Sequence, residues 1–254
     1  MKLNSYIIIG VILVVLTGAA AARYFIHTPV PPPEHIFIYD QSTSKINGCT
    51  CLTQEARKLV NNVKLNKEII SLYALGTPES GYKPKPIASY EIPKNDSVYK
   101  DRTKEKEQIE NLIADLENKC KAIPRTDTTP LFQAVNTAVE QLKRKCSPQS
   151  RCSIFVQTDL EESIEPQVLD AFKTVKGGKE PLNLKSIDNT GIFITFAGVS
   201  ELVVSPKKPT NGKDKNKDKS LDKMKDAEIW QKLWTRILTH NDSIDFRPIC
   251  SLLQ

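Results

Sequence analysis

The chain has 254 residues, of which 39% are hydrophobic and 26% charged, the balance of an ordinary globular protein. Its net charge of +6 is concentrated in one place, because eight Lys stand against three Asp between Lys207 and Lys225. The remainder is nearly neutral, which leaves no broad basic face for a nucleic acid.

The N-terminus reads as an export element. No residue from Tyr6 to Ala22 is charged, and Ile7 to Leu16 is almost wholly aliphatic. Residues 1–24 are therefore expected to be a hydrophobic helix, serving either as a short membrane anchor or as a cleaved signal peptide with the Ala19–Ala22 run at its end. Residues 25–34 contain Pro29-Val-Pro-Pro-Pro33 and form a stiff extended spacer. Lys2 before the apolar run and only Arg23 after it place the N-terminus inside. The rest of the chain is then periplasmic or at the cell surface if anchored, and secreted if the segment is cleaved. Once the export element and the Lys-rich run are set aside, roughly 180–190 residues remain, enough for one domain with a core.

Ile36 to Tyr39 is β-branched-rich and predicts a buried strand. It leads straight into Asp40, Ser42 and Ser44. Leu52 to Val63 predicts a helix, with Thr53 as its cap and Ala56, Leu59, Val60 and Val63 on one face. Glu68 to Leu75 is a second strand, and Ile87 to Ile92 an edge-like third. Asp101 to Cys120 is a charged helix with a narrow apolar stripe, stopped by Pro124. Leu131 to Lys145 is a helix that Pro130 introduces, with Thr128 or Thr129 available as a cap. Cys152 to Thr158 is a fourth strand running into Asp159. Pro166 to Val175 predicts a helix, and Gly191 to Ala197 a strong strand. A Lys-rich loop is expected over 206–225, as a solvated connection. Asp226 to Thr239 then forms an amphipathic helix whose Trp230 and Trp234 face the core, before a short last strand at Ser243 to Pro248. Helices that alternate with apolar strands imply an α/β domain over 35–254. Its central sheet is doubly wound and mostly parallel, with helices on both faces.

The six cysteines are Cys49, Cys51, Cys120, Cys146, Cys152 and Cys250. An even number in an exported chain suggests disulfides, with fifteen possible pairings that the sequence does not separate. Buried free thiols are the plain alternative. Zinc has little support, since there is no Cys-x-x-Cys and no His near any Cys.

Oxygen-bearing side chains gather at three predicted edges. Asp40, Ser42 and Ser44 follow the first strand, Thr129 precedes a helix, and Asp159 ends the fourth strand. Ligands bind beyond the carboxyl ends of strands in such sheets. Hydroxyls with two carboxylates, and no His or Cys, suit a hard cation, Mg²⁺ first and Mn²⁺ or Ca²⁺ also. A plain turn, closed and capped by the same side chains, is the competing reading.

Asp40-Gln-Ser-Thr-Ser44, Thr129 within Thr-Thr-Pro-Leu-Phe-Gln-Ala, and Thr158-Asp159 resemble the metal-ion-dependent adhesion site of the von Willebrand factor type A (vWA) family. The likeness in order and pattern covers roughly residues 35–248 and implies a bacterial, exported member with a Rossmann-like vWA fold. It implies that Ser42, Ser44 and Thr129 give hydroxyl oxygens to the ion, and that Asp40 and Asp159 act at least partly through water. One coordination position is then left for a carboxylate of a protein partner. Gln41, Thr43, Thr128 and Leu160 stand where members often have Gly, and bulk there is expected to narrow or alter the rim. The function this implies is a non-enzymatic binding module, held to the membrane by its N-terminal segment. A structural or assembly protein of the cell envelope with a vestigial ion pocket is the alternative.

Enzyme readings are weaker. A phosphatase with Asp40 as nucleophile lacks its acid, because Ser42 cannot protonate a leaving group at neutral pH. Gly-x-Ser-x-Gly and the phosphate-binding Gly-rich loop are absent. His27, His35 and His240 are scattered and give a catalytic triad no local support.

Overall fold

The computed structural model describes residues 32–41, 49–62, 68–92, 102–146, 151–181, 183–198 and 215–247. Two compact units divide at Pro31 and Pro32, and every described residue belongs to the second. The N-terminal segment, most of the Pro-rich spacer, Ser42, Ser44, Cys250 and the first part of the Lys-rich run lie outside the described residues. No helix among the described residues is long and apolar enough to cross a membrane.

In chain order the elements are β1 (Glu34–Tyr39), α1 (Thr50–Asn62), β2 (Ile69–Ala74), β3 (Lys85–Glu91), α2 (Arg102–Lys121), α3 (Leu131–Lys145), β4 (Ser153–Gln157), α4 (Pro166–Lys176), β5 (Phe193–Ala197), α5 (Lys215–Ile237) and β6 (Ile244–Arg247). They build one six-stranded sheet of order β3-β2-β1-β4-β5-β6. Only β3 runs antiparallel, against β2. It is an edge strand that carries Lys85, Pro86 and Glu91, residues that discourage pairing with another chain.

Side chains of β1 alternate between two cores because strand period is two. Ile36 and Ile38 pack with Leu131, Val135 and Leu142 of α3, Val168 of α4 and Trp234 of α5. Phe37 packs on the other face with Leu52, Ala56 and Val60 of α1 and Ile113 and Leu116 of α2. Burial on both faces is why β1 reads as a near-continuous apolar run. The result is a mixed α/β, mostly parallel sheet flanked by helices, an arrangement consistent with a Rossmann-like vWA fold.

β1 begins earlier than its apolar run suggests. Glu34, the first residue of the strand, is buried, with hydrogen bonds on Oε1 and an ion pair on Oε2. It accepts bonds from Ser71 Oγ (2.9 Å) and Gln141 Nε2 (3.1 Å) and pairs with Lys145 Nζ at 2.8 Å. A buried charge is tolerated when it is paired in this way.

The expected loop over 206–225 is corrected in its second half, since α5 starts at Lys215, eleven residues before Asp226. The physical reason is the absence of breakers. After Gly212 no Gly or Pro occurs before Pro248, and Lys, Leu and Met are good helix formers. A helix nucleated by the packed Trp230–Ile237 turn therefore extends backward at little cost. Trp230 and Trp234 are both buried, as the apolar spacing requires.

Thr53 does not cap α1. It lies inside the helix and donates its hydroxyl to the carbonyls of Cys49 and Thr50, both at 3.1 Å. The acceptor at this helix start is Gln157, whose Oε1 takes the Leu52 N–H at 3.2 Å.

Disulfides join Cys49 to Cys120 and Cys146 to Cys152. The first ties the start of α1 to the end of α2, and the second links the end of α3 to the start of β4. Cys51 is disulfide-bonded as well.

Candidate functional site

The chain leaves β1 on one side toward β2 and β3, and returns on the other through β4, β5 and β6. β1 and β4 therefore flank the point where strand order reverses. Side chains at their carboxyl ends border the crevice where such folds bind ligands.

Register brings Tyr39 level with Gln157, so Asp40 and Thr158 are the next residues out. Asp40 is fully buried, and its N–H donates to the Gln157 carbonyl at 3.0 Å. Its Oδ2 accepts the Thr158 hydroxyl at 2.7 Å. That hydroxyl oxygen also accepts the Leu160 N–H at 3.1 Å, and Glu161 N–H donates to Asp159 Oδ1 at 3.1 Å. Arg125 lies near enough for its charge to oppose the rise in the Tyr39 phenol pKa that burial and Asp40 cause.

Asp159 is half-buried, and its carboxyl is pushed up to about 7, first by desolvation, then by the charges of Asp40 and Glu161. Burial also raises Glu162, against several backbone N–H bonds that pull it down. The sign of the stability effect follows. A carboxyl whose folded pKa exceeds its unfolded value holds extra protons in the folded state through that window. Between about pH 4 and 7 the metal-free protein should lose stability as pH rises. Thermal melts in EDTA should give a falling melting temperature from pH 5 to pH 8, with a flatter slope for Asp159→Asn. A profile that rises over this range would contradict the burial and charge environment described.

Thr129 is buried and precedes α3. Neither Thr128 nor Thr129 caps that helix. Pro130 occupies the cap position and makes no side-chain cap bond. Glu162 supplies the acceptor from another loop, taking the Phe132 N–H on Oε2 at 2.5 Å. Sequence reading passed over Glu162 and its neighbour Ser163. The available signal was a helix opened by proline, which needs an acceptor from elsewhere.

The fold thus gathers Asp40 and Asp159 closely enough for their charges to interact, and fixes Thr129 to the Asp159 loop through Ser163. Ser42 and Ser44 lie outside the described residues. Leu160 does not crowd the rim. It takes a left-handed backbone (φ 72°), and its side chain is buried in the α3–α4–α5 core. Gln41 is buried too, and its Oε1 has no hydrogen-bond partner among the described residues.

These groups fit a hard cation. Two carboxylates in a poorly hydrated crevice repel one another, and a positive ion relieves that repulsion. Buried oxygens without competing His or Cys are the donor set such ions take. Among the described residues no group of three or more His, Cys, Asp or Glu could hold a metal ion, so a cation here would need hydroxyl oxygens beside the two carboxylates.

At the opposite, amino-terminal edge of the sheet, His35 lies between Ser153 Oγ (Nδ1, 2.7 Å) and Glu68 Oε2 (Nε2, 2.9 Å). This part-buried row joins β1 to β4 and to the residue before β2.

No protein-family model matches the chain, and comparison with curated proteins finds no match. Solved structures do match. An aerotolerance-related membrane protein from Bacteroides fragilis aligns at 15% identity over 85% of this chain and 90% of its own, with a TM-score of 0.38. Proximal thread matrix protein 1 from the mussel byssus, in a crystal with a zinc-occupied MIDAS motif, aligns at 10% identity over 88% of this chain and 43% of its own, TM-score 0.39. BatB from Bacteroides thetaiotaomicron aligns at 12% identity over 85% and 89%, TM-score 0.33. With TM-scores below 0.5, the fold assignment stands on the sheet order and helix placement of this chain itself.

Proposed function

We propose that this chain is an extracytoplasmic, vWA-like binding module that engages an acidic residue of a protein partner through a divalent cation, Mg²⁺ before Mn²⁺ or Ca²⁺. The supporting observation is the paired carboxylates Asp40 and Asp159 in the β1–β4 crevice, with the Thr158 hydroxyl on Asp40. Asp40, Ser42, Ser44, Thr129 and Asp159 would hold the ion, and the ion would present an open position to a carboxylate. Position 42 is a serine, which cannot protonate a leaving group at neutral pH, and this favours binding over turnover. Disulfides favour an oxidising compartment, and residues 1–24 would tether the domain to a membrane from the outside.

The test uses bound Mn²⁺ as a reporter on the full chain in detergent. Water-proton relaxation enhancement should fall when a glutamate-containing peptide is added, because its carboxylate replaces bound water. The glutamine counterpart should leave it unchanged. Equal responses to the two peptides would exclude carboxylate recognition. Failure to bind Mn²⁺, Mg²⁺ or Ca²⁺ at all would favour an envelope assembly protein with a vestigial pocket.

A further inference from the structure

The loop that begins at Asp159 does more than carry one carboxylate. The Glu162 carboxylate is buried and divides its two oxygens between separate tasks. Oε2 accepts the Phe132 N–H at the start of α3, while Oε1 accepts the N–H groups of Ile164 (2.6 Å) and Glu165 (3.1 Å) in its own loop. One side chain therefore closes the β4–α4 loop and caps the helix that follows Thr129. Ser163 adds a reciprocal pair. The Thr129 N–H donates to Ser163 Oγ at 2.6 Å, and the Ser163 N–H donates to the Thr129 carbonyl at 3.0 Å. At the other end of the loop, Leu160 is pinned by its N–H to Thr158 Oγ1 and by Trp234 Nε1 to its carbonyl, both at 3.1 Å.

The Glu162–Phe132 bond and the reciprocal Ser163–Thr129 pair run between the two segments that carry Thr129 and Asp159. The separation of the two candidate ligands is thus set by the protein. Supporting residues of this kind govern how well a site is preorganised, and their loss typically weakens metal binding by about 10- to 100-fold.

We infer that Glu162 and Ser163 are positioning residues that hold Thr129 and Asp159 in ligating register, so that cation affinity depends on them without either touching the ion. The inference rests on the cation-binding reading above.

The experiment titrates Mg²⁺ into the full chain by calorimetry, alongside urea unfolding of each variant. Ser163→Ala and Glu162→Gln should bind Mg²⁺ about 10- to 100-fold more weakly, and Ser163→Thr, which keeps the hydroxyl, should bind as wild type does. Asn189→Ala is the stability control. It breaks a buried latch at the other edge of the sheet, where Asn189 bonds the backbone of His240 (2.9 and 3.2 Å) and Ser243 Oγ (2.8 Å). It should lose stability and keep its affinity. Wild type binding Mg²⁺ while Ser163→Ala and Glu162→Gln bind equally well would overturn the inference alone. A loss of affinity in Asn189→Ala as large as in Ser163→Ala would also overturn it, by making affinity follow stability. Wild type that binds no Mg²⁺ would overturn the cation-binding reading and the inference with it.

Discussion

Replacing Cys49 and Cys120 together by alanine should lower the unfolding free energy by about 4 kcal/mol, against about 2 kcal/mol for Cys146 and Cys152. The difference comes from loop length. Cys49 and Cys120 are 71 residues apart in sequence, whereas Cys146 and Cys152 are 6 apart. A cross-link removes more freedom from the unfolded chain when it closes a longer loop. Packing acts in the same direction, because Cys49 and Cys120 belong to the α1–α2 core. Urea unfolding of the two double variants measures both values. Equal losses, or a larger loss at the short loop, would contradict the entropic account. The same comparison bears on localisation, since a chain that needs the long-loop bond has to mature where that bond can form.

Trp234→Ala should cost about 3–5 kcal/mol, the range for emptying a large aromatic from a closed core. Trp234 is fully buried and packs on Phe196 with ring centroids 5.2 Å apart. Trp234→Phe separates packing from hydrogen bonding. It keeps most of the apolar volume but leaves the Leu160 carbonyl without its indole donor, a loss of about 1–3 kcal/mol. The consequence reaches the crevice, because Leu160 follows Asp159 and holds a left-handed backbone that a side chain seldom adopts. Burial of the Leu160 side chain, the Leu160 N–H bond to Thr158 Oγ1 and the Trp234 bond together sustain it. Urea unfolding of both variants tests this, and a Trp234→Phe protein as stable as wild type would show that the indole bond contributes nothing.

The order of elements was legible because each strand is a short apolar run and each helix has a recurring apolar face. β1 is the clearest case: Ile36, Phe37 and Ile38 are apolar in succession, since each side chain meets a covered face. The candidate residues Asp40 and Asp159 were visible because each directly follows such a run. What local pattern could not supply was anything that depends on partners distant in sequence. Glu162 and Ser163 look like surface polar residues until α3 is placed against their loop. Leu160 looked like an obstruction beside Asp159, and only the packing of α5 shows that its side chain turns inward. The start of α5 was misplaced because Lys-rich composition was read as solvated loop, although the stretch holds no helix breaker after Gly212. Disulfide pairing depended on which helix ends meet, and spacing does not encode that.

The central claim, a cation held between the β1 and β4 edges, is tested most directly by melting the full chain with increasing Mg²⁺ beside Asp40→Ala. A ligand bound only by the folded state stabilises it by about 2.7 kcal/mol at a hundred times its Kd. For a domain of this size that corresponds to a rise of about 5–10 °C. Wild type should show this rise and EDTA should reverse it, while Asp40→Ala should not respond. A wild-type melting temperature indifferent to Mg²⁺, Mn²⁺ and Ca²⁺, or an equal rise in Asp40→Ala, would contradict the account.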